Sequence, residues 1–419
     1  MRKILMKAKV LGFLAVLVFM GAGGTAFGAT DVSNFSELQN ALNSPNFDIQ
    51  LTDNITWTSV LDSYNSGAIS GGDGGTFYTL NGASYGGFIF RNNQTVQFSG
   101  NINFNNFTDS GDSDGALDLE GGIVNFQTTS TFSNNQTGYV GAIFLDGGSG
   151  AVTKMTFSNS SITFINNVSQ GEYSISGAIR VQSEAELEIT NSYVNFINNK
   201  TYGPILGIGG GAISIAHSSS KLNVDNSKVY FSNNEAPRDG GAILVGNVIE
   251  SFDIFASGEA IFTNSDVEFL GNTAGIKGGA IAVVSGSTLT FQDSNVEFRD
   301  NTAGTKGGAI YIDARYSNLQ FRAESDNLNL SFSNNKANGV LNDIFVEEGG
   351  QLNFYADTGR TISIASGLIS NGNANFSGAG TLLLTGRVDF NGISIRQGTV
   401  EVGNATLTAE TINIITGAN

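Results

Sequence analysis

The residues able to do chemistry are few, and their spacing suits chemistry poorly. The chain has no cysteine and a single histidine. That residue, His217, lies in "IAHSSSKL" and reads as an exposed turn histidine between two strands. A triad or a zinc site needs partners that this composition denies it. Without cysteine there is no thiolate nucleophile. Serines are plentiful, but none has a strong base nearby in sequence. The densest acidic stretch is "DSGDSDGALD", with Asp109, Asp112, Asp114 and Asp118. Its spacing suits an oxygen-rich Ca2+ loop, yet the bidentate glutamate that closes an EF-hand loop is missing, so a solvated acidic loop is expected. Glu268 and Glu297 occupy equivalent places in two near-identical strings and read as outward surface residues. The glycine-rich strings are not nucleotide loops, because no Lys-Ser/Thr follows them and no helix opens after them. The expectation is a non-enzyme with no catalytic residue, metal or cofactor.

These candidates sit on a repeated frame. Phe-x-x-Asn recurs at Phe132, Phe164, Phe196, Phe231, Phe269, Phe298 and Phe332, with a degenerate "FNNF" at Phe104 and spacings of 28 to 38 residues. Gly-Ala-Ile, usually led by a further Gly, recurs with its Ala at 142, 178, 212, 242, 280 and 309. Most units hold three apolar-x-apolar triplets. Ile310-x-Ile312, Leu289-x-Phe291 and Val296-x-Phe298 are examples of the first, second and third. The middle residues vary, as with Phe144, Arg180, Ser214, Ala282 and Tyr311 in the first triplet, and are expected to point outward. That is strand alternation. Three short strands per unit of about 30 residues describe one turn of a right-handed parallel β-helix, a three-sided all-β solenoid. About a dozen turns at ~4.8 Å would give a rod of roughly 50–60 Å.

The Asn of each Phe-x-x-Asn falls at a corner. Asn135, Asn167, Asn199, Asn234, Asn272, Asn301 and Asn335 are the expected rungs of a stacked amide ladder, each in a left-handed conformation that Asn tolerates. The paired glycines fit a second bend, for positive φ or close backbone packing. Asp239, Lys277 and Lys306 form an outward column before those glycines, with a surface ion pair between the first two. Three stretches exceed the minimal spacing: "VSQGEYSIS" after Asn167, "KTYGPILGIG" after Asn199, and "GNVIESFDIFASGE". Insertions on a solenoid often bind. Tyr202, Ile205, Leu206 and Ile208 are unusually apolar for a loop and form the candidate contact loop.

The ends differ from the middle. Arg2, Lys3, Lys7 and Lys9 precede an apolar run from Val10 to Met20 and the small residues of "TAFGA", the pattern of a secretion signal over 1–28. Its removal leaves 16 basic against 37 acidic residues, a net of −21, which repels nucleic acid and anionic lipid. No downstream run is long enough to span a bilayer as a helix. Residues 29–100 read as an N-terminal cap and first turns. Ser33 to Pro45 forms a short capping helix with Ser36 as N-cap and Leu38, Ala41 and Leu42 on one face. Residues 101–367 are the repeat β-helix. Residues 368–419 keep the solenoid but change the rhythm of the repeat.

The paired tetrapeptides resemble the repeat of the polymorphic outer membrane protein family of chlamydiae, over Phe104 to Phe345. The segment Gly378 to Val402, "GAGTLLLTG…GTVEV", is similar to the transport repeat that precedes autotransporter barrels. The resemblance implies an exported, surface-displayed passenger at the outer membrane or outside the cell. It also implies adhesion to a protein or glycan receptor, or self-association. No set of ~10-residue amphipathic strands for a membrane barrel is seen, so a truncated or stand-alone passenger is expected. A carbohydrate-active β-helix enzyme is the alternative. It would need several Asp or Glu and an Arg converging on one face.

Overall fold

The computed structural model describes residues 29–109, 115–148, 152–171, 174–203, 209–217, 219–249, 254–365, 368–403 and 406–414. The secretion signal expected over 1–28 lies outside them. Alternating apolar residues can bury one side of a strand only if a second sheet closes over them, and a coil of parallel strands supplies that closure. Such a coil is formed here. The first face stacks Leu117, Ile143, Ile179, Ile213, Ile243, Ile281, Ile310 and Ile344 in parallel register. The third stacks Phe104, Phe132, Phe164, Phe196, Phe231, Phe269, Phe298 and Phe332. Their rings lie 4.5–5.1 Å apart and within 12° of parallel. Offset stacking of this kind adds to the burial of each ring.

The second face is the longest. Its column runs through fifteen rungs, from Thr30 and Ile49 through Phe98, Phe157 and Phe291 to Ile395 and Ile414. At the ~4.8 Å strand spacing this is a rod of roughly 67 Å, longer than a dozen turns. One rung carries the smaller Ala260 where the neighbouring turns have Leu222 and Leu289. Ala260 and Phe262 still continue the column between Leu222-x-Val224 and Leu289-x-Phe291. Beyond Leu352 the rungs come closer in sequence, at Ala374, Ile393 and Ile412, while the same face continues.

Two features add to the three-sided coil. First, each repeat carries a fourth strand of two residues, directly after the ladder Asn. Val168–Ser169, Lys200–Thr201, Glu235–Ala236, Thr273–Ala274, Thr302–Ala303 and Lys336–Ala337 are among the members of a nine-stranded sheet. Its last strand, Val340–Leu341, turns back antiparallel through Asn338-Gly339, both at positive φ. Asn-Gly favours such a two-residue hairpin turn. Second, the outer side of the first face is not exposed. Phe144, Arg180, Ser214, Leu244, Ala282 and Tyr311 are all buried. The segment ahead of the strand folds back over it: the Ser214 hydroxyl accepts from Gly210 N–H at 2.8 Å and donates to the Ile175 carbonyl at 2.8 Å. Leu244, Ala282, Val284 and Tyr311 thereby form a small apolar cluster separate from the main core.

The paired glycines serve both of the functions that brought them to notice. Gly278 has φ 65°, in the left-handed region. A Cβ on Gly279 would lie 2.1 Å from the Gly308 carbonyl oxygen and 2.6 Å from the Thr302 nitrogen. At the N-terminal end the helix Phe35–Leu42 covers the first rungs and buries Phe35, Leu38, Ala41 and Leu42. Its N-cap is Asn34, not Ser36. The Asn34 side chain accepts from Glu37 N–H at 3.1 Å, while Glu37 reaches back to Ser33 N–H at 2.7 Å, so the two ends of the turn satisfy each other. Trp57 packs edge-on against Phe35, Phe88 and Phe107 beneath this cap.

Candidate functional site

A buried amide inside a solenoid must find partners above and below, because water cannot reach it. All seven ladder asparagines are fully buried. Each donates Nδ2–H to the Oδ1 of the next: Asn135 to Asn167, then Asn199, Asn234, Asn272, Asn301 and Asn335, at 2.8–3.0 Å. The second Nδ2–H of each goes to a phenylalanine carbonyl of the turn before, as from Asn234 to Phe196 at 2.9 Å. Each Oδ1 from Asn167 to Asn335 also accepts the backbone N–H of the preceding ladder Asn. Two donations and two acceptances use the whole capacity of the side chain. The left-handed residue is the one before, at Asn134, Asn166, Asn198, Asn233, Gly271, Asp300 and Asn334, with φ 53–64°.

The ladder has defined ends. Phe107 N–H donates to Asn135 Oδ1 at one end. At the other, Asn335 Nδ2 donates to the carboxylate of Asp343 at 2.9 Å, whose second oxygen accepts Ile369 N–H at 2.9 Å. Burial pushes the Asp343 carboxyl up to about 6, against the opposing pull of those two hydrogen bonds. The corner between second and third faces holds a serine ladder that the sequence reading missed. Thr128, Ser160, Ser192, Ser227 and Ser265 each donate a backbone N–H to the hydroxyl of the next serine, ending at Ser294, at 3.0–3.2 Å. The signal was present as Asn-Ser at Asn159, Asn191, Asn226 and Asn264, and Asp-Ser at Asp293, each first residue at φ 47–52°.

The outer side of the third face is polar and open. Glu268 and Glu297 pair directly in register. Arg299 bonds to both, at 3.0 and 3.2 Å, so their mutual repulsion is offset by one guanidinium. In the adjacent column Lys228 pairs with Asp266 at 3.1 Å. Asn329 Nδ2 donates to Asn295 at 2.7 Å, and Asn295 Nδ2 donates to Asp266 at 2.8 Å. Asp266, Glu268, Asn295, Glu297 and Asn329, with Tyr230, Ser331 and Ala365, line a groove of about 300 Å³, behind which Val267, Val296 and Leu330 lie in the core.

The remaining candidates are scattered. Asp239, Lys277 and Lys306 stand in one bridged column. Lys277 lies over the Tyr311 ring and Lys306 over that of Phe345, and Lys306 also pairs with Glu347 at 2.6 Å. His217 is half-buried rather than exposed, and burial and the nearby Arg180 both disfavour its protonation. Arg180 is wholly buried; its Nε reaches Gln182 at 3.2 Å, but Nη1 and Nη2 have no hydrogen-bond partner among the described residues. Asp118 is buried, whereas Asp112 and Asp114 lie outside the described residues. Among the described residues no group of three or more His, Asp and Glu side chains stands together as a metal site. Tyr202 is 51% exposed; Ile205, Leu206 and Ile208 lie outside the described residues. The insertion after Gly246 carries an antiparallel ribbon, Asn247–Ile249 with Ile254–Ala256.

Three segments, 228–246, 266–283 and 295–313, match the Chlamydia polymorphic membrane protein repeat. Each begins with a third-face strand, passes a ladder Asn and its two-residue strand, and ends on the first-face strand of the next turn. The chain thus carries that repeat in three consecutive turns. No curated protein and no solved structure matches the chain.

Proposed function

We propose that the chain is the exported passenger of an autotransporter-type surface protein, and that it acts there by binding, as an adhesin or a surface-structural component. The observation that carries this reading is the run of polymorphic membrane protein repeats in consecutive turns of the rod. The basic and apolar leader read from the sequence agrees with export. The architecture supports binding over catalysis. Inward positions repeat from turn to turn, while the outward ones beside them change, as in the column Asn195, Tyr230, Glu268, Glu297 and Ser331. A rod of this kind holds a variable surface on an invariant core. Its partner is a protein or glycan receptor. Antibody raised against the rod should label intact, unpermeabilised cells that express the full gene. Labelling that appears only after permeabilisation would overturn surface display.

A further inference from the structure

The groove on the third face differs from the ladders in that nothing in the fold requires it. Its apolar surface comes from the Tyr230 ring and Ala365, its walls are amides and carboxylates from Asn295, Asn329, Glu268 and Glu297, and Val267, Val296 and Leu330 lie behind it in the core. Tyr230 closes one end, and its ring packs against that of Tyr193, which is 44% exposed, with centroids 5.5 Å apart. We propose that this groove binds an uncharged oligosaccharide laid along the rod axis.

Three observations lead there. The first is shape: Tyr230, Glu268, Glu297 and Ser331 occupy four successive rungs, so the groove runs about 14 Å along the axis at the strand spacing. That suits an extended chain rather than a compact ligand. The second is polarity. A sugar ring has apolar C–H faces and an edge of hydroxyls that both donate and accept. The Tyr230 ring and Ala365 meet the faces, while carboxylate oxygens accept from the hydroxyls and amides do both. The third is charge. Asp266 is paired with Lys228, and Glu268 and Glu297 share Arg299. A basic peptide would have to displace these cations, and an acidic ligand would meet a strongly negative chain. The walls are also fixed in advance, since Asn329, Asn295 and Asp266 are linked by hydrogen bonds, which lowers the ordering cost of binding. Both glutamates are engaged by one guanidinium, so the groove is a place to bind a glycan rather than to cleave one.

The test is calorimetric titration of the purified chain with cellotriose, maltotriose and N-acetylchitotriose, with oligolysine and a heparin oligosaccharide as charged comparisons. At least one neutral trisaccharide should bind with a Kd of about 1 mM or tighter. Its affinity should change little between low and high salt, because no net charge is exchanged. Tyr230→Ala and Asn295→Ala should each weaken it by about tenfold, while unchanged circular dichroism melts show the rod intact. The proposal is overturned if no neutral trisaccharide binds, if the two variants bind as well as the parent, or if oligolysine or heparin binds in its place. It takes its biological role from the surface-display reading. Titration of purified chain tests the groove alone, and cell labelling tests display alone, so the two can fail separately.

Discussion

Replacing Asn234 with Ala should destabilise the rod by roughly 3–7 kcal/mol, and the figure follows from four hydrogen bonds. Asn234 Oδ1 accepts Asn199 N–H and Asn199 Nδ2–H, both at 3.0 Å. Its Nδ2 donates to the Phe196 carbonyl at 2.9 Å and to Asn272 Oδ1 at 3.0 Å. The losses are unequal. Asn272 Oδ1 keeps the Asn234 backbone N–H, and Asn199 Nδ2 keeps the Phe164 carbonyl. The backbone N–H of Asn199 is left buried without an acceptor, which costs about 1–3 kcal/mol, and the other bonds add roughly 0.5–1.5 each. The neighbour provides the control. Asn233 is exposed at φ 54°, the same place is filled by Gly271 one turn on, and Asn233→Gly should stay within about 0.5 kcal/mol of the parent. Urea denaturation followed by far-UV circular dichroism gives the difference. Because a solenoid can lose turns in steps, amide exchange at Asn199 should be read alongside it. A loss below about 1 kcal/mol for Asn234→Ala, with Asn199 still protected, would refute the claim that the ladder holds the corner.

Two further predictions concern buried charge. Asp343, with its carboxyl near 6 when folded and an ordinary value of 3.8, binds a proton more readily in the folded chain. Its contribution is therefore full below pH ~4 and is lost as pH rises through about 6, a swing of up to about 3 kcal/mol. Asp343→Asn should remove that part of the pH slope between 4 and 6.5; an unchanged slope would show that other groups carry it. Arg180 presents two guanidinium nitrogens without hydrogen-bond partners among the described residues, and burial pushes it down to about 10 despite the opposing fields of Tyr139 and Asp146. Arg180→Met should therefore stabilise the rod by about 1–3 kcal/mol, seen as a higher melting temperature. A lower one would mean that the charge is compensated in solution.

The inward half of each turn could be read from the sequence because strand alternation has a period of two and the repeat displays it many times. Ile143, Phe164 and Leu187 each lie in a column whose members share a type. What escaped were features without apolar periodicity. A two-residue strand such as Thr302–Ala303 is too short to show alternation. The serine ladder uses small polar residues that resemble any turn. Burial of Tyr311 on the outer side depends on the chain folding back over it, and such a tertiary contact leaves no local pattern. The same limit applies to the groove. Tyr230, Asn295 and Glu297 are distant in sequence and share no motif, and only the stacking of turns brings them together.

The ladder also has a direction. Every rung offers the next the same two donors and takes the same acceptor, so neighbouring rungs are interchangeable parts facing one way. One turn more or less between two rungs would leave each new pair of neighbours with the bonds, the aromatic stack and the glycine bend of the old. Length in this molecule is therefore nearly free of structural consequence: the rod can be lengthened or shortened by whole turns, as a chain is by links, and the loops carried on it can be set nearer or farther apart without redesigning anything between them. The two ends are the exception. The lone carboxylate of Asp343 terminates the row of aligned amides, and a segment spliced beyond it would have to restore an acceptor at that point or forfeit the last rung.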